Sequence, residues 1–191
     1  MNKASSKRPT RQPRYEVEQR AQFSKAQYDG LMRWLNKSAK DLGQDNRINY
    51  IWVFPNKFLK VVHATSQGKA KLAFKRGNLS TSRSFKEIEI EFDPKQFSDM
   101  VEIFKQLELP VKVYKPTQVR HNYLYKGVEI AMKRSKNWGY HAELEVMVDR
   151  VGLRAGAEKK IKAVADELGI KLMTNQEIAE LRRKIGGKKG H

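Results

Sequence analysis

The chain has 191 residues, with 39 lysines and arginines against 21 aspartates and glutamates, a net charge of +18 and no cysteine. Its length suits one domain with a small appended piece, and the missing thiols exclude disulfides, thiolate metal sites and a cysteine nucleophile. No apolar run reaches the length of a membrane span and the first residues form no signal-peptide core, so a cytoplasmic protein without a membrane partner is expected.

The basic excess is unevenly placed. Residues 1–14 carry five basic and no acidic groups, and residues 182–191 the same, which leaves +8 for the stretch between them. Residues 1–14 read as a disordered basic arm and 186–191 as a basic tail, both suited to weak contact with nucleic acid or polyphosphate through charge alone.

The first patterned stretch, Tyr15-Glu16-Val17-Glu18-Gln19-Arg20, alternates with a period of two. That sends Glu16, Glu18 and Arg20 to one face of a strand and Tyr15, Val17 and Ala21 to the other. Ser24 then caps a helix whose apolar positions Tyr28, Leu31, Leu35, Ala39 and Leu42 step by three or four until Gly43 closes it. Strands are predicted at 49–54, 58–64 and 71–75, parted by turns at Pro55-Asn56 and Gln67-Gly68. The strand at 85–92 sets Glu87, Glu89 and Glu91 against Ile88, Ile90 and Phe92, and Asp93-Pro94 opens a helix carrying Phe97, Met100, Val101, Phe104 and Leu107. Further strands fall at 111–114, 119–125, 128–132 and 140–148, with a hairpin at Lys126-Gly127. Beyond 154 the pattern is helical: Ala157, Ile161, Val164 and Leu168 end at Gly169, and Thr174 with Glu177 forms a capping box for a last helix.

Three of these strands carry alternating carboxylates, the last through Glu143 and Glu145. A half-buried strand usually wets its polar face, so the residues alone leave two readings open: charges on an ordinary sheet, or one shared acidic cavity.

Five stretches together carry a family resemblance. They are Glu16, Glu18 and Arg20; Leu59-Lys60-Val61-Val62; Leu72-Ala73-Phe74-Lys75; the acidic Glu87, Glu89 and Glu91; and the long segment from Gln118-Val119-Arg120 to Glu143-Leu144-Glu145. Their order resembles the CYTH superfamily, also called triphosphate tunnel metalloenzymes, which includes thiamine triphosphatases, inorganic triphosphatases and class IV adenylyl cyclases. Glu16, Glu18 and Arg20 look like its opening Glu-x-Glu-x-Lys strand, and Glu143 and Glu145 like its closing Glu-x-Glu.

The resemblance implies an α+β fold in which residues 15–153 form a closed antiparallel β-barrel, or tunnel, of about eight strands with flanking helices. Residues 154–185 would then be a C-terminal helical extension. It implies a triphosphate-containing small molecule as partner and Mg²⁺ or Mn²⁺ as cofactor. Glu16, Glu18 and Arg20 would be catalytic; Glu16, Glu18, Glu143, Glu145 and Glu89 would face the metal; Arg20, Lys60, Lys75, Arg120 and Lys133 would hold phosphates. Hydrolysis of the triphosphate is the expected reaction, with cyclisation of ATP as an alternative. Three departures stand out: Val62 and Gln118 replace basic residues of the family pattern, and Lys133 replaces an aspartate. They leave room for a third reading, a catalytically weak binder of polyphosphate or nucleic acid. No P-loop is present, and His63, His121, His141 and His191 show no metal-ligand spacing.

Overall fold

The computed structural model describes residues 14–76 and 84–187. In chain order the elements are β1 (Arg14–Phe23), α1 (Lys25–Ser38), β2 (Lys40–Gln44), β3 (Arg47–Phe54), β4 (Lys57–Ala64), β5 (Lys69–Arg76) and β6 (Ser84–Phe92). Then come α2 (Phe97–Gln106), β7 (Lys112–Tyr114), β8 (Thr117–Tyr125), β9 (Val128–Ser135), β10 (Gly139–Val148), α3 (Arg154–Glu167) and α4 (Asn175–Gly187). All ten strands join one antiparallel sheet in the order β2-β8-β9-β10-β1-β6-β5-β4-β3-β7. The sheet curls until β3 also meets β8, at Arg47 with Gln118 and Ile48 with Thr117. That contact spans two residue pairs, so the expected α+β fold is present as a curled ten-stranded sheet with helices outside.

Alternation along the strands decides which side faces the helices. Val17 and Ala21 of β1, Ile130 and Met132 of β9, and Ala142 and Leu144 of β10 are fully buried against Leu35 of α1 and Ile161 and Ala165 of α3. Each large apolar side chain removed from water there contributes roughly 1.5–3 kcal/mol. A second cluster, Trp52, Val61 and Val101, packs β3 and β4 under α2. With the apolar faces turned outward to the helices, the intervening charged residues line the concave side.

Four expectations need correction. The first helix stops at Ser38, because Ala39 is extended (φ −114°, ψ 158°) and residues 40–44 pair with β8 as β2. Gly43, at φ +86°, serves a bulge in that strand and closes no helix. Asp93 caps a single 3₁₀ turn over Pro94–Gln96, and α2 begins only at Phe97. Ile88 and Ile90, part of the apolar outer face that the flanking helices of the implied barrel would cover, are 55% and 60% exposed, since neither α2 nor α3 reaches the outer face of β6 there.

The last two helices are present as read, with Thr174 and Glu177 forming the capping box through a 2.7 Å bond from the Thr174 N–H and a 3.2 Å bond from the Glu177 N–H. The segment between them is tied to β1, Met173 N–H donating to the Arg20 carbonyl at 2.7 Å. Residues 1–13 of the expected arm and 188–191 of the expected tail lie outside the described residues, while Arg14 already belongs to β1 and Gly186-Gly187 to α4. No described helix is long and apolar enough to cross a membrane.

Candidate active site

The register between β1 and β10 builds the site. It sets Glu18 directly opposite Glu145 and Arg20 opposite Glu143, with Glu16 one pleat further along. Like charges face to face across a strand pair are unfavourable, so this register persists because the other faces of the same strands fill the core. Glu16, Glu18 and Glu145 each offer a carboxylate oxygen, and the three oxygens lie within 4.8 Å of one another. Glu16 and Glu18 are buried and Glu145 partly so.

Burial raises the pKa of Glu18, with Arg20 opposing and Glu16 and Glu143 adding to the rise. Glu145 is pushed up to about 8 by burial, against the pull of Arg120 and with the repulsion of Glu16 and Glu143. Glu143 behaves oppositely. Its burial is outweighed by Lys133, Arg20 and Arg120, which hold it well below the usual carboxylate range.

Cations occupy the same face. Arg20 donates to Glu18 and, through Nε at 3.2 Å, to Glu143. Lys75 pairs with Glu16 and stands 3.2 Å from Glu87. Arg120 donates to Asn122 at 2.6 Å and Glu129 at 3.2 Å, and its distal nitrogens lie 3.8 Å from Glu145 and 3.9 Å from Glu143. Lys133 is bound to Glu143. Lys60 differs: among the described residues it makes no direct ion pair, and its ammonium lies 5.0 Å from the centre of the Phe58 ring. Burial, reinforced by Lys75, pushes that ammonium down to about 8.

The structure therefore brings together Glu16, Glu18, Glu145, Arg20, Lys60, Lys75 and Arg120. Glu143 borders this group with its oxygens taken by Arg20 and Lys133. Glu89 lies outside the three-carboxylate group, at the rim, bound to Lys71; burial raises its pKa but Lys71 outweighs it. Sequence reading missed Asp45 and Asn122. Asp45 is buried, pairs with Arg47, lies 3.4 Å from Arg120 Nε and accepts from Asn122 at 3.3 Å. Asn122 shares the two-residue period of Arg120 and was discoverable, whereas Asp45 sits between two short strands with no periodicity to mark it.

The model of the CYTH domain matches residues 14–176, most of the chain. The chain belongs to the CYTH domain family. The matched region runs past the carboxylate strands through α3, so the CYTH unit takes in the helix that buries the outer side of β1 and β10. No curated protein sequence matches this CYTH chain. Among solved structures it resembles the PH1012 protein of Pyrococcus horikoshii at 23% identity and a TM-score of 0.68, over 86% of this chain and 98% of that one. It also resembles an adenylate cyclase candidate of Vibrio parahaemolyticus, at 13% identity and a TM-score of 0.65, over 88% and 99% of the two chains. The Hippeastrum protein HpAC1, described by a dominant triphosphatase activity, matches at 12% identity and a TM-score of 0.59, over 90% and 96%. At these identities the likeness is one of fold.

Proposed function

We propose that this CYTH chain hydrolyses a triphosphate, inorganic or organic, with the help of a divalent metal ion, inside the tunnel formed by the curled sheet. The observation that carries the reading is the meeting of three carboxylates within 4.8 Å beside Lys60, which makes no ion pair among the described residues. A pure anion binder gains nothing from converging negative charge. The donor set fits the group: buried carboxylates repel one another, hard oxygen ligands suit Mg²⁺ or Mn²⁺, and a bound cation relieves the repulsion. Glu16, Glu18 and Glu145 would hold the ion, which when bound supplies positive charge beside the phosphate oxygens and orients a water.

The protein's own residues do the remaining work. Among the described residues Lys60 pairs with no carboxylate, so its ammonium can bind phosphate oxygens. Arg120 faces the same space with both distal nitrogens, and Arg20 and Lys75 fix the carboxylates. Holding the phosphate charges in one geometry is most of what in-line attack on phosphorus requires. Gln118 and Val62 offer the substrate no cation, and Val62 is buried as a core residue.

The test is phosphate release from tripolyphosphate, ATP and thiamine triphosphate with Mg²⁺, Mn²⁺ or EDTA. Release is expected with metal and absent with EDTA, and Glu145→Gln is expected to lower kcat by about 100-fold or more. Binding of tripolyphosphate without release from any substrate would remove the hydrolase reading, and a cyclic nucleotide from ATP would replace it with cyclisation.

A further inference from the structure

A groove of about 470 Å³ opens at the corner where β3 meets β8, beside the turn between β9 and β10. Arg47, Arg134 and Lys136 line it with the hydroxyls of Thr65, Thr117 and Ser135, and no carboxylate is among its lining residues. This composition is the reverse of the active site, where Arg20, Lys75, Arg120 and Lys133 all stand beside acids. Among the described residues neither Arg134 nor Lys136 has a carboxylate in ion-pair range. Arg47 binds Asp45 through its tip, yet its Nε is buried without a hydrogen-bond partner.

Exposed basic side chains are usually solvated charge with no further role, and a chain of net charge +18 has many. Two features set these apart. Three of them, from separate strands and a turn, converge on one concavity. The groove also borders the active site, since Arg47 on its wall pairs with Asp45, Asp45 lies 3.4 Å from Arg120 Nε, and Arg120 stands 3.8 Å from Glu145. Along β8 Gln118 in the groove stands two positions from Arg120, roughly 7 Å of extended chain.

We propose that this groove is an accessory anion site for further phosphoryl groups of a substrate longer than a triphosphate, an inorganic polyphosphate whose end lies in the carboxylate site. The inference rests on the hydrolase reading and extends it to a substrate class. Cations and hydroxyls suit a run of phosphates, held by lysine and arginine directly and without metal. No aromatic ring lines the groove to stack a nucleobase, which favours a chain without bases.

The experiment measures affinities for tripolyphosphate and for a defined polyphosphate of about ten phosphoryl groups, in EDTA at one fixed salt concentration, for the full chain and for Arg134→Ser/Lys136→Ser. The double variant is expected to bind tripolyphosphate within about twofold of the parent chain and to lose about tenfold of its preference for the longer polymer. Arg134→Lys/Lys136→Arg is expected to restore that preference, which guards against misfolding as the cause. The basic arm and tail are common to all three proteins, so their nonspecific attraction cancels. Equal loss for both ligands, or for neither, overturns the proposal. An oligothymidylate of matched charge that binds as tightly as the polyphosphate, and loses as much in the variant, overturns it in favour of a phosphodiester ligand. Because binding is read in EDTA, a chain that releases no phosphate from any triphosphate refutes the hydrolase reading and leaves this outcome to be judged separately.

Discussion

Lys133 is the residue at which the chain departs most sharply from the carboxylate pattern it otherwise resembles, and its surroundings say what it does. It is 3% exposed, bound to Glu143 and close to Arg120. Burial, then Arg120, lowers its pKa, while Glu143 and Glu145 oppose the shift. Its neighbour Glu143 keeps its charge mainly because this ammonium is there. Lys133→Met should therefore leave a partly buried carboxylate with only Arg20 and the more distant Arg120 and cost ~3 kcal/mol of stability. Urea titration checks this, with Lys162→Met as the control. Lys162 pairs with Asp166 on the open surface of α3, and its loss is expected to leave the midpoint unchanged. Equal midpoints for the two variants would show Lys133 to be an idle charge. The sequence made the identity of these residues legible, because a period of two is local information. It left the pairing of each cation with its acid illegible, because Arg20 meets Glu143 across 123 residues and Lys75 meets Glu16 across 59.

At the scale of elements, periodicity located the strands and both covering helices but was blind to where coverage stops. Leu35 of α1 is fully buried beneath that helix, whereas Ile90 of β6 has the same apolar character and stands open. Leu35→Ala is expected to cost ~2–5 kcal/mol and Ile90→Ser to stay within ~0.5 kcal/mol of the parent chain. Thermal melts of the two variants decide it, and a large loss at Ile90 would mean that something covers β6. The misplaced end of α1 has a related cause. Leu42 continues the helical spacing, but β2 gains a backbone ladder with β8, and edge pairing of that kind is invisible to a window of neighbouring residues. Ten strands were legible as eight or nine for the same reason, β2 being the one that lay hidden inside a helical pattern.

At the scale of the whole molecule, α1 is fastened to the sheet through Tyr123, whose hydroxyl donates to Asn36 at 2.7 Å from a fully buried ring. Burial, with Asp41 and Tyr28 adding, pushes that phenol up from 10 to about 12. The folded-state value lies above the unfolded one, so this contribution to stability is complete below pH 10 and is lost as pH rises through about 12. Unfolding free energies at pH 9 and pH 11 should differ more in the parent chain than in Tyr123→Phe; an identical difference in the two would show that the phenol ionises without consequence. The register of β1 on β10 reaches further. A slip of β1 by a single residue against β10 would turn Val17 inward and Glu18 out towards the helices, so core and carboxylate cluster are two consequences of one alignment. A lineage carrying this chain could exchange individual side chains of the concave face, but it could not shift the acidic strands without unfolding the protein that bears them. Selection for a stable molecule thereby shelters the carboxylate cluster even through periods when no substrate rewards it.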